Sequence, residues 1–186
     1  MAVLPLVNAN DERAKLWERR ALNLIRIDGQ FPAIARALGR LDSFLRSESV
    51  NAVDNFGDAG IPNAYVIEDY LALSQLWIFG AYEMLRSLDD RLRANPNLCS
   101  PQIRSKVNRL KWRLARIRIP LAKLEPHDRH KEDEVPRGAC VISHARNKGW
   151  CWQLNAQTYV WRHDLGEELL SLLDIFPSPW TDVRTD

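Results

Sequence analysis

Mostly apolar residues repeat at alternating spacings of four and three along two long segments, and this pattern constrains the fold more than any other feature. In the first segment Ile67, Leu71, Ser74, Ile78, Ala81, Leu85, Leu88 and Leu92 form one stripe, with Tyr70, Leu73, Trp77, Gly80 and Met84 beside it. Such spacing is typical of an α-helix. Because the apolar arc is so wide, neighbours must cover this helix on more than one side.

The second segment, residues 103–124, repeats this spacing and predicts a helix that packs against the first. Its stripe contains Ile103, Val107, Leu110, Leu114, Ile117, Leu121 and Leu124. Ser100 and Pro101 suit its N-terminus, since serine caps free amides and proline is tolerated at the first position. Pro120 is expected to kink this helix or to end its regular part near Ile119. Together with one kinked helix or two helices near the N-terminus, these elements predict a bundle of about four helices.

The remaining segments differ in character. Residues 46–63 are polar and rich in Gly, Asn and Asp, which predicts a loop. Residues 139–161 predict a small antiparallel β-meander of short strands, with its last turn at Asn155. Asp164 and Glu167 have the spacing of a capping box at the start of a final helix.

The expected fold class is therefore mainly α, with a small C-terminal β-meander and a last helix. We divide the chain of 186 residues into a helical bundle over residues 1–125, a charged linker over 126–138, and a β-meander with a helix over 139–186. The alternative division is one continuous domain, since a domain usually holds roughly 150 residues.

Composition excludes several classes of protein. A hydrophobic fraction of 46% with seven tryptophans excludes a disordered chain. No apolar run approaches the roughly 20 residues that span a bilayer, and the first residues lack the pattern of a secretory signal. Three cysteines form an odd, sparse set that suits a reducing compartment. We expect a cytoplasmic bacterial protein with no membrane partner and no cofactor.

Charge is distributed unevenly along the chain. Residues 102–124 contain eight basic side chains and no acid, namely Arg104, Lys106, Arg109, Lys111, Arg113, Arg116, Arg118 and Lys123. Since the whole chain carries +2, the rest of it carries −6. A helix places Arg109, Arg116 and Lys123 in one column opposite the apolar stripe, with Trp112 on the same outward side. Cations beside an exposed aromatic ring can bind phosphates and stack a base.

This pattern predicts a binding site made of Arg109, Trp112, Arg113, Arg116, Arg118 and Lys123. Two alternatives remain open, because basic side chains also pair with acids of neighbouring helices or simply contact water, and Trp112 can pack under the C-terminal strands. Among the acids, Glu83 lies between apolar residues, and we expect it to be a buried partner for an arginine of the basic helix.

Metal and catalytic patterns are weak. His127 and His130, with Cys140 and His144, can be written as a zinc pattern. The first pair lies in a charged linker without glycine and the second begins in a predicted strand, so a buried cysteine and a loop histidine are the favoured interpretation. No phosphate-binding glycine loop, nucleophile elbow or His-Glu-x-x-His motif is present.

The run Arg118-Ile-Pro-Leu-Ala-Lys123, near the end of a long helix, resembles the HEPN superfamily of helical bundles over residues 10–125. The resemblance implies an RNase or a partner of a nucleotidyltransferase in toxin–antitoxin or phage-defence systems. The HEPN motif has a histidine four to six residues after the arginine, and this chain has Lys123 at that place. Since lysine is protonated at neutral pH, the resemblance implies a member that is inactive as a nuclease.

Three functions follow from these observations. The first is a non-enzymatic protein that binds a macromolecular partner, RNA, DNA or an acidic protein, through residues 102–124. The second is a HEPN-type RNase with Arg118 in its polar site. The third is a structural homodimer that uses the two apolar stripes as its interface.

Overall fold

A computed structural model describes residues 12–54, 64–123, 125–131, 140–142 and 149–180 of the chain, with the side chains of 48–54, 64–67 and 140–142 not described. Within these ranges the helices are α1 (Glu12–Ala21), α2 (Phe31–Asp54), α3 (Ala64–Ala94), α4 (Pro101–Lys123) and α5 (Arg162–Asp174). The strands are β1 (Cys140–Ile142), β2 (Trp150–Asn155) and β3 (Thr158–Trp161). The predicted fold class, a mainly α bundle with a β-meander and a last helix, is confirmed.

Helices α3 and α4 form the most extensive helix–helix contact of the described chain. They run in opposite directions, since the pairs Asp89–Lys111 and Glu83–Arg118 join them about two turns apart. The predicted stripes are buried along this contact, and Leu85, Leu88, Leu114 and Ile117 are among its fully buried residues. At the start of α4 the amide of Ile103 donates to Ser100 Oγ over 3.3 Å, which confirms the predicted cap.

Helices α1 and α2 cross at a glycine. A Cβ built on Gly39 would lie 2.4 Å from both Cβ and Cγ of Trp17, so only a residue without a side chain permits this approach. Trp17 is completely buried at the crossing. Between the two helices a 3₁₀ turn, Leu22–Leu24, interrupts the chain, and this turn decides between the two N-terminal alternatives in favour of separate helices.

The C-terminal part adds to the same hydrophobic core. The sheet has the order β1-β2-β3 with antiparallel pairing throughout. Its last turn contains no glycine. Asn155 stabilises the turn instead, since its Oδ1 accepts hydrogen bonds from the amides of Gln157 and Thr158 over 3.0 and 2.9 Å. Leu154 and Leu165 belong to the same cluster of buried residues as the helices of the bundle.

Three local predictions were wrong. The predicted loop begins too early, because α2 continues to Asp54, while residues 55–63 lie outside the described residues. Of the two alternatives at Pro120, the end near Ile119 was wrong, because α4 continues through Pro120 to its end at residue 123; the kink stays a prediction. The capping box does not form, because α5 begins before Asp164 with no side-chain cap and Glu167 instead pairs with arginines.

Candidate nucleic-acid interface

The basic side chains of α4 fall into three columns of heptad spacing. Because seven residues make close to two turns, residues seven apart lie on nearly the same side of a helix. The columns are Arg104-Lys111-Arg118, Arg109-Arg116-Lys123 and Lys106-Arg113. The last two are about 40–60° apart around the helix axis, at about 100° per residue, and the first lies well away from both.

The column that contains Lys111 and Arg118 faces α3, and acids of α3 pair with these two members of it. Lys111 Nζ donates to Asp89 Oδ2, and both side chains are buried. Burial by itself would raise the pKa of Asp89, but the hydrogen bonds from Lys111 and Arg93 hold it below the ordinary value. These contacts make Lys111 a structural side chain of the α3–α4 contact.

Arg118 is a predicted site residue that the structure places against the same helix. Its Nη2 lies 3.5 Å from Glu83 Oε1, and its guanidinium carbon lies 5.2 and 5.9 Å from the ring centres of Tyr82 and Phe79. The prediction that Glu83 pairs with an arginine of the next helix is confirmed. The prediction that Glu83 is buried was wrong, since 43% of its side chain is exposed.

The other two columns point away from α3. Lys106, Arg109 and Lys123 are exposed, and within the described ranges none of the three has a carboxylate at ion-pair distance. Arg113 pairs with Glu168 of α5, and both side chains are about 40% exposed. An exposed pair of this kind contributes little free energy, so a phosphate can replace the carboxylate at small cost. We define the outer face of α4 as Lys106, Arg109, Arg113, Arg116 and Lys123.

A groove of about 450 Å³ lies between the outer face of α4 and helix α5. Lys106, Arg109 and Arg113 line one wall, and Glu167 and Glu168 line the other. Glu167 and Glu168 therefore limit the positively charged surface on the side that faces α5. A polyanion on the outer face therefore has to approach α4 from the side away from α5.

The predicted exposure of Trp112 was wrong, because residues 125–131 fold back over it. Trp112 is half-buried, and the guanidinium carbon of Arg129 lies 4.2 Å from its ring centre. The ring of His127 meets it edge-on with the ring centres 5.4 Å apart. His127 Nδ1 accepts a hydrogen bond from the Arg129 amide over 3.0 Å, which fixes both residues of the covering segment.

The zinc pattern, which the sequence analysis did not favour, is only partly within the described residues. His127 and His130 lie with their ring centres 5.8 Å apart. The side chain of Cys140 and all of His144 lie outside the described residues. In the part of the chain that is described, no group of three or more metal-ligating side chains occurs.

A buried charged cluster joins α1, α2 and α5, and it was not predicted from the sequence. Asp42 is completely buried and accepts hydrogen bonds from Trp17 Nε1 over 3.0 Å and from Arg162 Nη1 over 2.7 Å. Arg13 and Arg46 lie 2.5 and 3.5 Å from its carboxylate. Burial alone would raise the pKa of Asp42, but Arg162, Arg13 and Arg46 outweigh it and lower the pKa to about 2. The cluster fastens three helices together.

One sequence signal pointed to this cluster. Asp42 lies four residues after Leu38 and three before Leu45, so it falls on the apolar face of α2. An acid in such a stripe requires a buried cation. Its partner Arg162 is 120 residues away, and no spacing rule connects the two.

Comparison of the chain with protein-family models, curated proteins and solved structures gives no match. None of the described helices combines the length and hydropathy that crossing a bilayer requires.

Proposed function

We propose that the protein binds nucleic acid without catalysis, by contact between phosphates and the outer face of α4. The observation that carries the proposal is the division of the basic residues. Carboxylates of α3 neutralise the inward column at Lys111 and Arg118, whereas Lys106, Arg109 and Lys123 extend to solvent without an acid of the described chain. From Lys106 to Lys123 the face is about 25 Å long, which corresponds to several phosphates of a strand.

The composition of this face favours phosphates over a protein surface. Interfaces between proteins depend on large apolar or aromatic anchors at their centre. The large apolar residues that the described chain exposes are Ile25, Ile34, Leu76, Leu98, Tyr159 and Trp180, and none of these belongs to α4. Cations without apolar anchors suit a ligand that is recognised mainly by its charge.

A binding role also agrees with the position of Arg118. The aromatic rings of α3 and Glu83 already engage its guanidinium, which supports a role in packing over one in HEPN-type catalysis. The proposal places the protein in the cytoplasm of a bacterium, where nucleic acid is accessible. The free thiol of Cys99 suits that reducing compartment.

The test is the affinity for a short, labelled single-stranded RNA and for a DNA duplex, measured by fluorescence anisotropy over a series of salt concentrations. If phosphates are the ligand, the logarithm of the binding constant falls linearly with the logarithm of salt concentration. Arg109→Gln removes one contact, so the slope should decrease by about 0.7 for the single strand and by about 0.9 for the duplex.

Arg40→Gln is the matched control, because Arg40 is an exposed arginine on α2 with no ion pair in the described structure. It removes the same charge and should leave the slope unchanged. Equal effects of the two substitutions would mean that net charge alone attracts the nucleic acid. A protein that binds neither probe at low salt would refute the proposed function.

A further inference from the structure

We propose that the preferred ligand is a single strand and that Trp112 stacks on one of its bases after Arg129 has moved off the ring. This inference rests on the proposed function and assigns a base-binding site to it. Trp112 lies three residues after Arg109 and four residues before Arg116, so its Cα lies beside two cations of the outer face on the helix surface. A strand whose phosphates contact both cations brings its bases to the indole.

Arg129 holds the position that a base would take. Its guanidinium carbon lies 4.2 Å from the ring centre, which is a stacking distance for a planar group. Arg129 is itself exposed, so it lies on the solvent side of a half-buried ring. No carboxylate of the described residues lies at ion-pair distance from Arg129. The Trp112 ring is therefore the main contact that holds this guanidinium in place.

The magnitudes favour exchange of the arginine for a base. An exposed contact between a cation and an aromatic ring changes an equilibrium constant by about 2- to 5-fold. A base stacked on an aromatic side chain contributes about 5- to 150-fold. The difference leaves a net preference of about 3- to 30-fold for a ligand that can present an unpaired base.

His127 keeps the indole in place during this exchange. It is buried, and its ring packs edge-on against Trp112 at 5.4 Å between ring centres. The main chain of Arg129 is fixed by the hydrogen bond to His127 Nδ1, so only the exposed side chain has to move. The site is therefore formed before binding, with a guanidinium in the place of the base.

The experiment compares three probes of equal length, namely a single-stranded oligonucleotide, the same strand with all bases removed, and a duplex. The unmodified protein should bind the base-bearing strand about 3- to 30-fold more tightly than the abasic strand. Trp112→Leu should abolish this preference and leave the affinity for the abasic strand unchanged. Trp180→Leu is the matched control, since Trp180 is 73% exposed on the C-terminal segment, and it should preserve the preference.

Arg129→Ala provides a second and opposite readout. It should raise the affinity for the base-bearing strand by about 2- to 5-fold and leave the abasic strand and the duplex unaffected. A loss of affinity for all three probes would show that Arg129 binds phosphate, and it would overturn the inference. Equal binding of base-bearing and abasic strands would also overturn it and leave the proposed function standing. If none of the three probes shows salt-dependent binding, both the base-stacking inference and the proposed function are refuted.

Discussion

Replacing Asp42 with asparagine should destabilise the protein more than any other single substitution of a carboxylate in the described chain. Asparagine has nearly the same shape, so the change removes the charge and leaves the packing of α2 intact. Three arginines then surround a neutral group, and one of them, Arg162, has no exposed surface. An uncompensated buried cation is the costly consequence.

The magnitude follows from two independent estimates. A carboxyl group whose pKa is 3.8 in the unfolded chain and about 2 in the folded protein contributes about 2.4 kcal/mol at neutral pH. Breaking a buried ion pair by removing one partner costs about 3–5 kcal/mol in other proteins. The amide oxygen of asparagine still accepts one hydrogen bond from Arg162, so we expect a loss of about 3 kcal/mol. Urea denaturation at neutral pH, analysed by linear extrapolation, measures this loss directly.

The pH dependence of stability provides a second test of the stabilising contribution of Asp42. Because the folded-state pKa of Asp42 is below the unfolded value, its contribution is complete above the unfolded pKa and is lost as the pH falls through about 4 to about 2. The Asp42→Asn variant has no such contribution. The difference in stability between the two proteins should therefore shrink over this interval, while titration of the other carboxylates cancels.

Asp174→Asn is the matched control for this experiment. Asp174 pairs with Arg20 over 3.1 Å, but 56% of its side chain is exposed, so its loss should cost less than about 1 kcal/mol. If Asp42→Asn costs no more than Asp174→Asn, the cluster contributes no more than a surface pair. A difference that stays constant down to about pH 2 would refute the assignment of the low pKa.

Two further substitutions test the packing of the helices. Gly39→Ala should lower the stability by about 1–2 kcal/mol, because overlap with Trp17 outweighs the gain in helix propensity. Gly29→Ala, which has no atom within 4 Å of the new Cβ, should be nearly neutral. Lys111→Met should cost about 1–3 kcal/mol in urea denaturation, because it takes from buried Asp89 one of its two cationic hydrogen-bond donors.

The control for the lysine is Arg86→Met, which breaks an exposed pair with Glu83 over 2.8 Å on the surface of α3. This variant should unfold at the same urea concentration as the unmodified protein. Equal stability of Lys111→Met and Arg86→Met would contradict the structural role of the inward column. For the glycines, a stable Gly39→Ala protein would contradict the close crossing of α1 and α2.

The long helices could be predicted because apolar spacing reports directly on which residues are buried. Ile78 and Leu85 in α3 and Leu114 in α4 were on the predicted stripes, and all three are completely buried. The hairpin could be predicted from two short runs rich in aromatic residues on either side of Asn155. The turn itself needed only the side-chain chemistry of asparagine. In each case the signal lies within a short stretch of the chain.

The length of α2 could not be predicted from composition. Residues 46–54 contain Ser, Asn and Asp, which favour turns, and yet the helix includes all of them up to Asp54. The difference in intrinsic propensity is at most about 0.7 kcal/mol per residue for these types. Each residue added to an existing helix gains one hydrogen bond, so a helix that begins at Phe31 can continue through weak helix formers.

Contacts between distant segments could not be predicted from the sequence for a different reason. The cover of Trp112 by Arg129 and the pair of Asp42 with Arg162 depend on how the helices pack, and no periodicity encodes that. The spacing of Asp164 and Glu167 predicted a capping box that does not form, because the Glu167 carboxylate forms ion pairs elsewhere. Glu167 bridges arginines of α1 and α2 instead, which supplies the acid that this positive cluster requires.

The division of α4 into columns explains why charge counting alone predicted too large a surface. Eight basic residues share one helix, but the heptad spacing that makes Lys111 and Arg118 face α3 also directs Arg109 and Lys123 to the opposite side. The acids of α3 stabilise the fold with the first set and cannot reach the second. Because the same repeat that buries the leucines also separates the cations, Lys106, Arg109 and Lys123 stay exposed with no carboxylate of the described residues at ion-pair distance. The exposure of these three cations, on which the proposed binding of phosphates depends, is thus a consequence of the packing that forms the bundle.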